Sequence, residues 1–222
     1  MKDIANFIAG FERFQAKYFR EERSLFSRLR QGQQPRALVI SCCDSRVDPA
    51  MLTGADPGDL FVMRNVANLV PPYRDDSEAP GVRSAIEFAV KALRVEHIIV
   101  LGHTGCGGIE ALMAGEGITE HKYEFIGSWV RIAQRAREKV LRELPQKSPE
   151  LQARACEQAA ILVSLDNLLS FPWIRERIDD GTLAVHGWHF DIDRGELLAY
   201  SAETGAFAPL VPTAAAERGT AA

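Results

Sequence analysis

The sequence predicts an α/β fold: a mostly parallel central β-sheet flanked by helices, with an antiparallel edge strand and an N-terminal helical arm. Three observations lead there. Ala37-Leu38-Val39-Ile40-Ser41, Leu60-Phe61-Val62-Met63 and His97-Ile98-Ile99-Val100-Leu101 are short runs, apolar almost throughout, as strands buried on both faces are. Between them lie stretches whose apolar residues recur at three- and four-residue steps. The two kinds of segment alternate, which favours a parallel sheet.

Residues 1–30 read as helix, with Phe7, Phe11, Phe14, Tyr18, Leu25, Phe26 and Leu29 in an apolar stripe among charges. Such a stripe needs a cover, either the chain's own core or a partner subunit. Gln31-Gly32-Gln33-Gln34-Pro35 breaks the pattern. The first strand follows and ends in Cys42-Cys43-Asp44-Ser45-Arg46. Asp56-Pro57-Gly58-Asp59 is a turn before the second strand, which runs out into Arg64-Asn65-Val66-Ala67-Asn68. Residues 81–93 have helical spacing through Val82, Ile86, Phe88, Ala89, Val90 and Leu93.

The third strand, from His97, is the plainest in the chain. It enters Gly102-His103-Thr104-Gly105-Cys106-Gly107-Gly108, and a helix starts at Ile109. Residues 123–144 read as a charged helix whose Arg-rich run, 131–142, is a solvated face. Ser148-Pro149-Glu150 opens a helix with Ser as N-cap and Pro in the first turn. That helix extends to about residue 169 and buries Cys156. Residues 183–190 are a late strand, and 196–201 return antiparallel to it. The organisation is thus an arm over 1–30, one domain over 31–211 and an Ala/Thr-rich tail over 212–222 that reads as disordered.

The chain's 222 residues, 46% of them hydrophobic, suffice for one large domain with a real core. Lys+Arg number 26 against 30 Asp+Glu, a net charge of −4, so the basic excess of a nucleic-acid binder is missing. No uncharged run is long enough to span a membrane. The opening residues carry Asp3 and Glu12 and do not read as a signal peptide. Four cysteines are too few for a disulfide scaffold. The expectation is a cytoplasmic, reducing setting, where cysteines serve as metal ligands or reactive thiols.

In parallel sheets, sites form at the carboxyl ends of strands. That rule selects residues 42–46 and 103–106. His103-x-x-Cys106 has metal-ligand spacing, and an imidazole with a soft thiolate on a Gly-rich turn suits Zn²⁺. The spacing alone is also met by a packed histidine and a buried cysteine. If the first and third strands are neighbours, Cys42 joins as a third ligand. A Cys₂His set leaves a fourth position open, as catalytic zinc sites do. Asp44 and Arg46 stand two residues apart on the turn that carries Cys42. They are either a surface ion pair, worth little, or a bidentate carboxylate clamp beside the metal.

Cys42-x-Asp44-Ser45-Arg46 with His103-x-x-Cys106 resembles the β-class carbonic anhydrases. The blocks Phe61-Val62-Met63-Arg64-Asn65-Val66-Ala67-Asn68-Leu69-Val70 and Ala85-Ile86-Glu87-Phe88-Ala89-Val90 carry the resemblance further, and it spans roughly residues 31–201. It implies that Cys42, His103 and Cys106 bind one zinc ion per chain and that Asp44 and Arg46 form a catalytic dyad. It implies reversible hydration of carbon dioxide to bicarbonate and a proton on a zinc-bound hydroxide. Two thiolates cancel the charge of Zn²⁺, so activity is expected to rise on the alkaline side of neutral.

Phe61, Val66 and Phe88 match wall positions of the family's apolar pocket, and Gly107 and Gly108 would admit the substrate to the backbone. Family members are dimers or larger, so a homodimer or homotetramer is implied, its N-terminal helices crossing between subunits. Members that switch between open and closed states use a bicarbonate pocket of Trp, Arg and Tyr. The matching residues here are Val39, Arg64 and Phe190, so only the Arg remains. Gln33 matches a Gln that hydrogen-bonds substrate in plant-like members, and Pro71-Pro72-Tyr73 is also plant-like. The open type is therefore expected, although Phe88 stands where plant-like members often carry Tyr.

Competing readings are hydrolysis of CS₂ or COS on the same zinc, a non-catalytic zinc-binding relative, and a thiol redox protein using Cys42-Cys43. The last would call for C-x-x-C or an exposed thiol of low pKa. Cys43, Cys156, His97, His121, His186 and His189 are assigned to packing or to ordinary surface roles, with a proton shuttle among the four histidines as the alternative.

Overall fold

The computed structural model describes residues 2–21, 23–74, 80–115 and 124–211. His121 and the tail 212–222 lie outside the described residues. The chain divides into two compact units, one ending at Gln34 and one starting at Pro35.

The N-terminal unit is helical: α1 (Lys2–Gln15), a π-helical turn (Ala16–Glu21) and α2 (Arg23–Leu29). The predicted stripe partly covers itself. Phe14 meets Tyr18 at 4.8 Å and Phe26 at 5.7 Å between ring centroids, and Phe19 stacks on Phe26 at 4.7 Å. Phe7 and Phe11 stay 71% and 62% exposed.

The second unit holds a six-stranded sheet in the order β2-β1-β3-β4-β5-β6. Its strands are β1 (Ala37–Cys42), β2 (Leu60–Asn65), β3 (His97–His103), β4 (Ala184–Asp191), β5 (Glu196–Ser201) and β6 (Ala206–Pro209). The first four run parallel, and β5 and β6 return antiparallel. The expected antiparallel edge is formed by β6, with β5 internal, and β2 is the edge strand on the parallel side.

Alternate residues split the core into two layers, as the period of two in a strand requires. Leu38, Ile40, Ile98 and Val100 pack with Ile86, Val90, Ile161, Leu168 and Ile174. Val39, Ile99 and Leu101 pack with Val47 and Leu52. Helices frame this sheet: α3 (Pro49–Thr53), α4 (Pro80–Glu87) continued by a π-helical turn (Phe88–Ala92), α5 (Gly107–Ala114), α6 (Ile126–Val130), α7 (Gln134–Glu143), α8 (Pro149–Leu168) and α9 (Pro172–Asp179). The N-cap Ser148 of α8 accepts from Leu151 N, as its sequence predicts.

α8 lies directly on β3 and β4. Two glycines allow this. A Cβ at Gly102 or at Gly187 would come within 2.8 Å or 2.9 Å of the Ile161 side chain. Three elements escape the sequence pattern: α3, α9 and β6. Each is eight residues or shorter, too short for a period to declare itself. α3 is held by its ends, with Asp48 accepting from Met51 N and Gly54 closing in the left-handed region at φ 65°.

Candidate metal centre

Strand order brings the ligands together. β1 and β3 are parallel neighbours with Ser41 opposite Leu101, so Cys42 and His103 leave the sheet side by side. The turn after β3 places Cys106 at the entrance to α5. The ligand atoms of Cys42, His103 and Cys106 all lie within 4.8 Å of one another, and all three residues are buried.

The two sulfurs are 3.9 Å apart. A tetrahedral metal with bonds of about 2.3 Å to each would hold them about 3.8 Å apart. His103 Nδ1 lies 2.9 Å from Thr104 O, an acceptor, so Nδ1 carries the hydrogen. That leaves the buried Nε2 with a lone pair and no hydrogen-bond partner among the described residues. An orphaned imidazole nitrogen facing two thiols fits a metal ion of borderline softness. The thiols already differ in acidity. The Cys106 S–H favours the Cys42 thiolate, whose pKa is held well below normal, and Cys106 is pushed up by that same thiolate and by burial.

Asp44 is held by its neighbour two residues on. Arg46 donates from Nε and from its own backbone N to Oδ1, both at 2.9 Å, and from Nη2 to Oδ2 at 2.8 Å. The guanidinium keeps this carboxyl well below the usual carboxylate range. Oδ2 stands 3.8 Å from His103 Nε2, on the edge of the ligand cluster. Arg46 Nη2 also reaches Gly105 O at 2.9 Å and so ties the dyad to the other ligand turn. From the edge strand, Arg64 grips the dyad loop through three carbonyls, those of Cys42, Asp44 and Val47, at 2.9, 2.7 and 2.8 Å.

The block after β2 is an over-determined turn. Ala67 and Asn68 have φ of 63° and 49°, which non-glycine residues seldom adopt. Asn65 staples it, accepting from Leu69 N at 2.8 Å and donating to Leu69 O at 2.9 Å. Trp129 Nε1 donates to Val66 O at 2.7 Å. Val66 thereby sits against α5, where a Cβ at Gly108 would meet its Cγ1 at 2.6 Å. A cleft of ≈ 1160 Å³ opens beside it, with Cys43, Asn65, Val66, Ile126 and Trp129 among its walls.

The other expected site residues lie elsewhere. Phe61 and Phe88 meet each other at 5.8 Å, with Phe61 opposite Leu38 on the edge strand. Leu38 is four residues before Cys42, about 13 Å along the strand. Gln33 belongs to the N-terminal unit. Gly107 opens α5, and a methyl group added there would have nothing within 4 Å of it.

Two expectations are corrected. Cys43 is exposed rather than packed, because β1 has ended and the alternation of faces no longer applies. His189 is no bystander: its Nε2 lies 3.3 Å from Oε2 of the buried Glu157. Glu157 went unnoticed in the sequence, and its other oxygen accepts from Gly105 N and Cys106 N. The signal was a charged residue on the stripe 157, 161, 164, 168, all of it buried. Cys156 is buried as expected, and burial pushes its thiol up to about 12.

Three converging side chains that could hold a metal ion, with a carboxylate held aside, sit at the carboxyl ends of strands in an α/β fold. The family model described as Carbonic anhydrase matches residues 37–197. Beta carbonic anhydrase 3 of Arabidopsis thaliana is 40% identical over 188 residues, 84% of this chain and 72% of that protein. A carbonic anhydrase of a Synechocystis species is 38% identical over 193 residues, 87% of this chain and 69% of that one. Among solved structures, the β-carbonic anhydrase CcaA matches with a TM-score of 0.89 and 35% identity, over 96% of this chain and 94% of that chain. A tetrameric β-carbonic anhydrase of Sordaria macrospora matches with a TM-score of 0.80 and 28% identity, over 90% and 97% of the two chains. This chain belongs to the carbonic anhydrase family, in its β class, whose enzymes hydrate carbon dioxide reversibly.

Proposed function

We propose that the reaction runs at a single zinc ion held by Cys42, His103 and Cys106, with Asp44 and Arg46 as the working dyad. The observation that carries this is the buried, unpartnered Nε2 of His103, facing two thiols 3.9 Å apart beside an arginine-held carboxylate. Zinc bound there supplies a Lewis acid that makes hydroxide available from water near neutral pH. Asp44 stays ionised at every working pH because Arg46 favours its charged form, so its Oδ2 can accept a hydrogen bond from incoming water and orient it. Three bonds from Arg46 hold the carboxylate in place and oppose its swing onto the metal, while Oδ2, which takes one of them, keeps a lone pair for water. That supports the open type. The burial of Val39 in one apolar cluster with Phe190, and the use of Arg64 on three loop carbonyls, support it too.

Val66 supplies an apolar wall for a small neutral substrate, and Gly107 is the open backbone position. Phe61, level with Leu38 on β2, and Phe88, packed on it from the π-helical turn, lie too far from Cys42 to wall their own chain's centre. If they wall one, as the resemblance implies, it is a second copy's, and a homodimer or homotetramer follows. Tetrameric relatives and the exposed Phe7 and Phe11 support assembly. Gln33 is assigned to substrate binding on the resemblance alone. Four free thiols support a reducing compartment such as the cytoplasm, and among the described residues no helix is long and apolar enough to cross a membrane.

Metal analysis of the purified chain should find about one zinc per chain, lost on Cys106→Ser. Stopped-flow hydration at about pH 8.5 should show turnover that Asp44→Ala or Arg46→Ala lowers by about 100-fold or more while zinc is kept. Full zinc without turnover in the unaltered chain would refute the reading.

A further inference from the structure

The turn that carries His103 and Cys106 is fixed at every polar backbone group. Thr104 N donates to Phe190 O at 3.1 Å, and Thr104 O accepts from His103 Nδ1 at 2.9 Å. Gly105 O accepts from Arg46 Nη2 at 2.9 Å, and Cys106 O accepts from Glu110 N at 2.9 Å. The two remaining groups are consecutive amides. Gly105 N and Cys106 N both donate to Glu157 Oε1, at 2.8 and 3.3 Å. Glu157 Oε2 faces His189 Nε2 at 3.3 Å, and both side chains are 3% exposed. Glu157 comes from the middle of α8 and His189 from β4, elements that pack on each other. A carboxylate is retained at such a dry interface only when donors satisfy it.

We propose that Glu157, backed by His189, is a positioning residue that sets the Gly105-Cys106 turn, and through it both the Cys106 sulfur and the Arg46 guanidinium. The Gly105 peptide is the link. In the plane that joins Gly105 to Cys106, the Cys106 N–H rests on Glu157 and the Gly105 C=O on Arg46, and the Gly105 φ of 65° is one that only glycine adopts readily. Tilting this peptide moves one metal ligand and loosens the grip on Asp44 together. The inference rests on the reading of Cys42, His103 and Cys106 as metal ligands. Groups that orient a metal's ligands typically cost about 10–100-fold in metal affinity or activity when removed.

The test uses full-length Glu157→Ala, Glu157→Gln and His189→Gln chains. Zinc-loaded protein is mixed with excess chelator and the release rate is followed. Cobalt-substituted protein gives the visible spectrum of the ligand field, and melting temperatures are recorded alongside. Glu157→Ala should release zinc about 10-fold faster or more, with an altered cobalt spectrum and a lowered kcat at little-changed KM. Glu157→Gln keeps one oxygen for the two amides and should fall between it and the unaltered chain. His189→Gln should shift in the same direction by less. If Glu157→Ala does not fold, Glu157→Gln carries the comparison and must still release zinc faster. Unaltered release rates and cobalt spectra, with only the melting temperature lowered, overturn the proposal and leave the carbon dioxide reading standing. An unaltered chain that binds no zinc overturns both.

Discussion

Gly107 and Gly108 are neighbours in sequence with opposite surroundings. A methyl at Gly108 would stand 2.6 Å from Val66 Cγ1 and 2.9 Å from Ala67 Cβ, and Ala67 cannot yield because its own backbone is already constrained. Gly108→Ala should therefore cost about 1–3 kcal/mol, in the range of an overpacked core, and displace Val66. A methyl at Gly107 meets nothing within 4 Å, and this glycine lies in the first turn of α5. Gly107→Ala should leave stability unchanged or raise it by about 0.4–1 kcal/mol, by restricting the unfolded chain. Thermal melts and kcat/KM on the two variants separate packing from substrate contact. Gly107→Ala should melt no lower yet lose kcat/KM, because the added methyl occupies the space through which substrate reaches the backbone. Full kcat/KM in that variant would remove Gly107 from the substrate-binding set. The contrast could not be read from the sequence, where both are glycines of one motif. What could be read there was chemistry intrinsic to residue type: two thiols, an imidazole and an Arg–carboxylate pair.

At the scale of elements, long periodic segments declared themselves and short capped ones did not. β1 and β3 were legible because both are apolar almost throughout, but that they are neighbours stood only as a condition in the sequence and comes from the pairing of residues 37–41 with 97–101. α3 depends on Asp48 and Gly54 rather than on a stripe, and β6 is four residues ending in Pro209. β3 and β4 also hold a pair the pattern did not announce. His97 Nδ1 and His186 Nε2 are 3.2 Å apart, half-buried, on adjacent strands. Burial, then the nearby His97, lowers the pKa of His186. The unfolded chain therefore binds more protons than the folded one between that lowered value and the ordinary value of about 6.5. Stability should rise with pH across this window and fall as the pH drops below about 6.5. The loss in melting temperature from about pH 7.5 to about pH 5.5 should be smaller in His186→Gln than in the unaltered chain. Equal losses in the two would show that the pair does not couple folding to protons.

For the molecule as a whole, the decisive fact is that one chain gathers Cys42, His103, Cys106, Asp44, Arg46 and Val66, but leaves Phe61 on the far part of β2 and Phe88 on the π-helical turn packed against it. The sequence lined all of them up in one set of motifs because a linear pattern carries no distance. If the aromatic pair walls the centre of a neighbouring copy, the active unit is at least a dimer and each site draws on two chains. A two-fold interface makes this reciprocal: each copy lends its pair and receives one. Complementation tests it directly. A chain with Cys106→Ser lacks a working centre but keeps its aromatics. A chain with Phe61→Ala and Phe88→Ala keeps its centre and lacks the wall. Each alone should be impaired, the first by loss of metal. Co-expressed in equal amounts, the two should form mixed dimers half of the time. In each mixed dimer one site has an intact centre facing intact aromatics, so about a quarter of all sites should recover full kcat/KM. If the aromatics serve their own chain, no mixed dimer holds an intact site. Activity then stays at the mean of the two parents weighted by their expression, with no excess at any ratio.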